Sequence, residues 1–133
     1  MTLMAQDRKL TAPTVYPDNA DFWKAAGEGR LVVKYCNDCK QFHWYPRPIC
    51  PHCGSDRTEF KASPGTGTIY SVSVTRRAGP IAFAIAYVTL DEGVSMLTNI
   101  VDCDLDALRI GQKVRVVFKP TEGGPPVPMF TPA

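Results

Sequence analysis

The second half of the chain alternates apolar and polar residues with the period of two that is typical of β-strands. Thr68–Thr75 is the clearest case, with Tyr70, Val72 and Val74 predicted on one side and the intervening Ser and Thr residues on the other. Ile81–Leu90 follows as a continuous apolar strand. A hairpin turn at residues 91–93 then places a glycine where a positive φ is favoured.

Three further segments extend this β pattern. Val94–Val101 is predicted as the third strand and Lys113–Lys119 as the fourth, while Val127–Phe130 is predicted as a last strand within a proline-rich tail. Between the third and fourth strands, Asp104 is placed to cap a single helical turn over Leu105–Leu108. Five strands with a small helix at this position predict a closed five-stranded barrel of the OB-fold type.

The first half of the chain has a different pattern. Residues 1–17 show no periodicity and are predicted to form an extended or loose N-terminal arm. Asp18 or Asn19 is positioned to cap a helix over Ala20–Ala26, and Leu31–Val33 is predicted as a short strand. The predicted units are therefore the arm at 1–17, the helix and a cysteine-rich ribbon at 18–58, and the barrel with its tail at 59–133.

Four of the five cysteines form two CxxC pairs separated by ten residues: Cys36, Cys39, Cys50 and Cys53. Each pair can bend into a knuckle that presents two sulfurs to one cation, and two knuckles supply the tetrahedral sulfur set that Zn²⁺ prefers. Four thiolates leave no coordination position for water or substrate. The spacing therefore predicts a structural zinc ribbon rather than a catalytic metal centre.

Other interpretations of these residues are possible from the sequence. Disulfides fit poorly with a chain that has no secretion signal, and iron is the second metal that suits four thiolates. His43 and His52 flank the cysteines and are interpreted as polar loop residues, with substitution for a cysteine ligand as the alternative. Cys103 is alone and is expected to be a buried or edge thiol.

Composition and charge narrow the function classes. The chain has 133 residues, 21% of them charged, and a formal net charge of +2 that falls to zero when four thiolates bind one Zn²⁺. This balance gives weak support to a nucleic-acid partner. The start of the chain has no apolar segment of a signal peptide, and no apolar run approaches the roughly 20 residues that span a bilayer. The sequence thus predicts a soluble, cytoplasmic chain that does not associate with membranes.

No catalytic motif is apparent in the sequence. It contains no GxSxG, Walker A, GxGxxG or HExxH motif, and no grouping supplies a nucleophile, a base and an orienting residue together. Asp91 and Glu92 are interpreted as a solvated hairpin tip. Arg76 and Arg77 are either phosphate-binding residues or solvated loop charges. We therefore expect a binding or assembly role without an active site.

Several motifs occur in an order that is characteristic of one family. In the first half they are Phe22-Trp23-Lys24, Gly29–Val32, Tyr35-Cys36-x-x-Cys39 and Pro46-Arg47-Pro48-x-Cys50-Pro51-x-Cys53-Gly54-Ser55. In the second half they are Gly65-x-Gly67-x-Ile69-Tyr70-Ser71, Tyr87-Val88, Leu90–Gly93, Leu97–Asn99 and the run from Asp106 to Val116. Over about residues 18–132 the chain resembles proteins that join a rubredoxin-like zinc ribbon to an acyl-CoA-associated OB-fold domain. Lys40 departs from the pattern, because a glycine often follows the first knuckle.

The resemblance implies a mainly β fold, with an N-terminal helix, a four-cysteine zinc ribbon and then a five-stranded OB-fold barrel. It also implies a non-catalytic accessory subunit of an acyl-CoA-processing complex, with a thiolase-like enzyme, a hydratase or an aldolase as partner. Such a subunit would help assembly and the positioning of a CoA thioester. A nucleic-acid-binding ribbon and OB-fold module is the alternative. A rubredoxin-like electron carrier is a third interpretation.

Aromatic and cationic residues are the candidates for partner or ligand contact. Aromatic side chains anchor protein interfaces, so the helix and ribbon aromatics are predicted to form a docking surface. The alternative is that they only pack the helix and ribbon onto the barrel. The candidate residues are Phe22, Trp23, Trp44, Arg47, Arg76 and Arg77.

Overall fold

The computed structural model describes residues 3–6, 8–77 and 80–133. One helix, α1 (Ala20–Gly27), precedes a small sheet made by β1 (Leu31–Cys36), β2 (Phe42–His43) and β3 (Thr58–Ser63) in the order β2-β1-β3. Both pairs of this sheet are antiparallel, and β1 pairs along its whole length with β3. The sheet carries the turns that contain the four cysteines.

The remaining five strands form a closed barrel. They are β4 (Thr66–Thr75), β5 (Phe83–Leu90), β6 (Ser95–Ile100), β7 (Lys113–Thr121) and β8 (Gly124–Pro132), in the order β4-β5-β6-β8-β7. A single 3₁₀ turn at Leu105–Ala107 lies between β6 and β7, and the side chain of Asp104 accepts a hydrogen bond from the Asp106 backbone N–H. The mainly β class, the helix, the five-stranded barrel and the small helix between its third and fourth strands are confirmed.

Two details of the barrel differ from the sequence-based prediction. Tyr70 does not share a face with Val72 and Val74, because a register shift between Ile69 and Ser71 turns it outward. The last strand has nine residues rather than four and contains four prolines. The strand tolerates these prolines because it pairs extensively with β7 but with β6 at only one residue pair. Few backbone N–H groups of β8 therefore have to donate hydrogen bonds to β6.

One hydrophobic core joins the helix to the barrel. Buried side chains of α1 and β1 belong to the same cluster as buried residues of every barrel strand. Its fully buried large members include Ile69, Leu90, Ile100, Leu105 and Phe130. The helix packs mainly on β8 and β1. Helix and ribbon are therefore part of the structure that stabilises the barrel.

The start of the helix connects the helix to the ribbon. Asn19 occupies the N-cap position, but its side chain makes no capping hydrogen bond. Its Oδ1 accepts from the Tyr16 backbone N–H at 2.7 Å, and its Nδ2 donates to the Tyr45 hydroxyl at 3.0 Å. The buried Asn19 side chain thus joins the end of the arm to the loop between the two cysteine pairs.

The described part of the N-terminal arm is extended and hydrogen-bonded to the barrel. The Leu3 backbone N–H donates to Asp104 at 2.9 Å, the Ala5 N–H donates to the Cys103 carbonyl at 2.8 Å, and the Glu122 N–H donates to the Leu10 carbonyl at 3.0 Å. Residues 1, 2 and 7 of the predicted arm lie outside the described residues. Within the described chain, no helix is long and apolar enough to cross a membrane.

Candidate metal centre

The fold brings the four predicted cysteine sulfurs together. Cys36 ends β1 and Cys39 lies in the turn that leads to β2, while Cys50 and Cys53 lie in the second turn. All four sulfur atoms lie within 4.8 Å of one another. The Sγ atoms are 3.6 Å apart for Cys36 and Cys53, and 3.7 Å apart for Cys39 and Cys50.

These separations fit a tetrahedral zinc site. A zinc–sulfur bond of about 2.3 Å gives a tetrahedron whose edges are about 3.8 Å long. Cys36 and Cys50 are fully buried, Cys39 is half-buried and Cys53 is exposed, so the site lies at the surface with one wall inside the protein. With four thiolate ligands, Zn²⁺ would be closed to substrate and would hold the two knuckles together.

The two knuckles use the same backbone hydrogen bonds. In the first, the Lys40 N–H donates to the Cys36 carbonyl at 2.9 Å; in the second, the Gly54 N–H donates to the Cys50 carbonyl at 2.9 Å. Both donors have a left-handed backbone, with φ of 62° at Lys40 and 78° at Gly54. Glycine adopts this conformation freely, whereas a residue with a Cβ is strained there. The departure at Lys40 therefore places strain in the first knuckle.

The four sulfur atoms have different surroundings. A hydrogen bond from the Cys39 backbone N–H lowers the pKa of Cys36 to about 7, whereas burial raises the pKa of Cys39 to about 12. Asp38, between these two cysteines, accepts hydrogen bonds from Arg57 and Ser55, and the Arg57 bond is the main cause of its lowered pKa. Asp38 thus connects the first knuckle to the residues that follow the second.

Neither histidine replaces a cysteine in the described cluster. His52 is exposed, and its Nε2 lies 3.3 Å from the Phe42 carbonyl. His43 was expected to be a polar loop residue, but it lies on β2 and is 4% exposed. Its ring nitrogens have no hydrogen-bond partner among the described residues, and burial lowers its pKa. His43 is therefore a buried residue of the ribbon sheet in which the neutral imidazole is favoured.

The predicted contact residues fall into two groups. Phe22 and Trp23 are 2% and 8% exposed and pack edge to face with ring centroids 4.9 Å apart, so they belong to the core. Trp44 is half-buried against Phe22. The three arginines, Arg47, Arg76 and Arg77, are exposed, and Arg76 forms an ion pair with Asp106. The burial of Phe22 and Trp23 matches the alternative in which the helix aromatics pack the helix onto the rest of the chain.

A cleft that the sequence pattern does not reveal lies between the ribbon and the barrel. It has a volume of about 530 Å³ and is lined by ribbon residues that include His43, His52 and Trp44 and by the β5–β6 turn. The Glu92 carboxylate in that turn is not the solvated group that was expected, since its oxygens are shielded and have no hydrogen-bond partner among the described residues. Only the packing of the ribbon onto the barrel reveals this cleft, because its two sides are about 50 residues apart in sequence.

A second cavity lies under the N-terminal arm. Its volume is about 170 Å³, and Arg8 and Leu10 of the arm lie opposite Phe83 and Met129 of the barrel. The Arg8 guanidinium stacks on the Phe83 ring at 4.7 Å from the ring centroid. The arm therefore covers an apolar recess on the barrel.

Fold and metal site together define a two-domain protein in which a four-cysteine zinc ribbon precedes an OB-fold barrel. Comparison with known families agrees with this class. The ChsH2 rubredoxin-like zinc ribbon domain matches residues 23–59, and the ChsH2 C-terminal OB-fold domain matches residues 60–119. The chain belongs to the family of ChsH2-type zinc ribbon and OB-fold proteins.

Curated relatives come from bacteria and archaea. A "DUF35 domain-containing scaffold protein" of Methanothermobacter thermautotrophicus is 38% identical over 96 residues, which are 67% of this chain and 71% of the relative. A "Probable enoyl-CoA hydratase alpha subunit" of Thermomonospora curvata is 35% identical over 125 residues. That match covers 91% of this chain but 39% of the relative, so the chain spans about two fifths of that longer protein.

Two solved structures share the fold over about nine tenths of this chain. A chain of an "Ltp2-ChsH2(DUF35) aldolase" is 34% identical to this chain, with a TM-score of 0.78. The match covers 90% of this chain and 98% of that one. A DUF35 protein from Sulfolobus solfataricus is 14% identical with a TM-score of 0.65; the match covers 88% of this chain and 86% of that one, and supports the fold alone.

Proposed function

We propose that this chain is a non-catalytic accessory subunit of an acyl-CoA-processing complex with a thiolase-type enzyme. In this role it assists assembly of the complex and positions the CoA thioester. The observation that carries the accessory role is the match of this chain to a chain of the "Ltp2-ChsH2(DUF35) aldolase", at 34% identity over 90% of this chain. The relatives described as scaffold proteins support the same role.

The chemistry of the metal centre also supports a scaffold role. A zinc ion held by four cysteines has no free position at which to polarise a thioester or activate water. Among the described residues, these cysteines are the one group of three or more His, Cys, Asp or Glu side chains placed to bind a metal ion. We therefore assign zinc to folding of the ribbon and the acyl-CoA chemistry to the partner.

The exposed arginines remain the proposed contacts for the phosphates of CoA. Arg47 lies in the loop between the knuckles, and Arg77 lies just beyond the end of β4. Guanidinium groups bind phosphate through paired hydrogen bonds, which suits them to this contact. Trp44, which is half-buried and precedes Arg47 by three residues in the sequence, is the aromatic candidate for the same ligand.

The experiment that tests this function is an affinity purification from the native host, with identification of co-purifying proteins and metal analysis of the same sample. We expect one zinc per chain and a stoichiometric thiolase-like enzyme. A stoichiometric hydratase or aldolase would retain the accessory role and replace the thiolase assignment. Recovery of RNA or ribosomal proteins instead would contradict the proposal and favour the nucleic-acid-binding alternative.

The CoA contact has its own test on the purified complex. We expect Arg47→Gln and Arg77→Gln to raise the Kd for a CoA thioester, measured by calorimetry, while Arg30→Gln leaves it unchanged. Arg30 is the matched control because it is also exposed but pairs with Glu28 at the end of the helix. Kd values equal to the wild-type value in all three variants would show that Arg47 and Arg77 do not contact the CoA thioester.

A further inference from the structure

Three neighbouring strands of the barrel contain no charged residue. β4, β5 and β6 have ten, eight and six residues, and none of them is Asp, Glu, Lys, Arg or His. Charged residues make up 21% of the whole chain. The outer face of an antiparallel sheet that meets water is usually polar and often charged. The lack of charge on three adjacent strands therefore needs an explanation.

The outer face of these strands carries exposed apolar side chains that lie side by side. Tyr87 on β5 is directly opposite Leu97 on β6, and Ser71 on β4 is opposite Tyr87. The register shift at Ile69 and Ser71 turns Tyr70 out beside them. Tyr70, Tyr87 and Leu97 are 70%, 48% and 55% exposed. We call the outer face of β4–β6 the uncharged face.

Charged residues surround the uncharged face, and Arg8 of the N-terminal arm reaches one end of it by stacking on Phe83, the first residue of β5. The pair of Arg76 and Asp106 lies just past the end of β4, and Asp91 lies in the turn between β5 and β6. On the neighbouring strand β7 the outward residues are Lys113 and Arg115, both exposed. An uncharged centre rich in tyrosine and aliphatic side chains, with a charged border, is the composition of a protein interface.

We propose that the uncharged face is the surface that docks this chain onto its acyl-CoA enzyme, an inference that rests on the function proposed above. Tyr70, Ile85, Tyr87 and Leu97 expose about 320–540 Å² together, when side-chain areas of about 150–250 Å² are scaled by their exposed fractions. These four side chains alone supply about half of the roughly 800 Å² that each partner buries in a standard interface.

The size of the face distinguishes between possible occupants. An obligate homodimer buries at least about 1,000 Å² on each chain through a strongly apolar surface, which exceeds this face. An accessory subunit docked on an enzyme needs a standard interface with a central apolar anchor, and Tyr87 and Leu97 supply one. The enzyme must present an uncharged surface in return, because a charge buried against this face would be left without a partner.

The test measures the Kd between the purified chain and the enzyme identified by affinity purification. We expect Leu97→Glu and Tyr87→Glu to raise this Kd at least about thirty-fold, because each places a carboxylate at the centre of the interface. Arg115→Glu on β7 introduces the same group on the adjacent outer face, and we expect it to change the Kd less than three-fold. Circular dichroism and zinc content show whether each variant is folded.

A photo-crosslinking measurement covers the case in which a glutamate variant does not fold. A benzophenone amino acid at Tyr87 is expected to crosslink to the enzyme, and the same group at Arg115 is not. Unchanged Kd values for the glutamate variants, or crosslinking from Arg115 alone, would overturn the inference and leave the proposed function intact. A chain that sediments as a dimer and becomes monomeric only in Leu97→Glu would assign the face to a second copy and also overturn it. Failure of the wild-type chain to capture any acyl-CoA enzyme would instead overturn the proposed function.

Discussion

The backbone at Lys40 allows one prediction to be worked out in detail. Lys40 has a φ of 62°, and its N–H donates to the Cys36 carbonyl in the first knuckle. A residue with a Cβ pays roughly 1–2 kcal/mol for this conformation. Glycine avoids that cost but loses about 0.5–1 kcal/mol through the greater freedom of the unfolded chain. We therefore expect Lys40→Gly to stabilise the zinc-bound ribbon by about 1 kcal/mol relative to Lys40→Ala.

Comparing Lys40→Gly with Lys40→Ala separates the effect of backbone strain from the effect of losing the lysine charge. Both remove the same ammonium group, so the difference between the two variants reports the backbone alone. The assay is competition for zinc with a coloured chelator at neutral pH, because ribbon folding and zinc binding are coupled. A difference of about 1 kcal/mol corresponds to roughly five-fold tighter zinc retention in Lys40→Gly than in Lys40→Ala.

Equal zinc retention in the two variants would show that the backbone at Lys40 is not strained. Thermal unfolding of the zinc-bound forms provides a second measurement, with Lys40→Gly expected to melt about 3–5 °C above Lys40→Ala. A similar comparison at Lys24, on the exposed face of the helix, serves as the control. There glycine should be the less stable variant by about 1 kcal/mol, because helix interiors disfavour it.

Three further predictions concern the zinc site, the barrel and the core. Cys50→Ser should reduce zinc content from one ion per chain and expose the ribbon to protease, and metal analysis with limited proteolysis checks this. Gly67→Ala should destabilise the barrel by about 1–3 kcal/mol in chemical unfolding, because the added Cβ would lie 2.7 Å from the Thr89 carbonyl oxygen. Gly27→Ala is the control: its Cβ meets no atom within 4 Å, so the variant should be neutral or stabilising. Trp23→Ala should cost about 3–5 kcal/mol in the same assay because Trp23 lies in the core; a stable variant that lost only partner binding would contradict that placement.

The zinc ribbon could be predicted from the sequence because its signal is local. Each CxxC pair folds within one turn, so spacing alone specifies the knuckles, and the four sulfurs lie together as expected. The barrel strands were also predictable in number and order, because period-two alternation and turn residues mark them. Their ends were less well placed: β8 begins at Gly124 rather than Val127, since its prolines are typical of a tail when the pairing partner is unknown.

Contacts between segments that are distant in the sequence could not be predicted from the pattern of apolar and polar residues. The outward turn of Tyr70 depends on a register shift that only the pairing of β4 with β5 defines. The shielding of the Glu92 carboxylate depends on its surroundings in the folded chain, and the burial of Phe22 depends on the core that α1 shares with the barrel. An aromatic stripe on a helix has the same sequence pattern whether it faces a partner or its own core.

The sequence by itself determined the metal ligands, the zinc ribbon, the barrel class and the family, because these follow from short-range spacing and from the order of motifs along the chain. Tertiary structure decided which aromatic residues are available to a partner. It buried Phe22 and Trp23 and exposed Tyr70, Tyr87 and Leu97, since strand register sets the face on which each side chain lies. The proposed docking surface is therefore a property of the closed barrel, in which three uncharged strands lie next to one another.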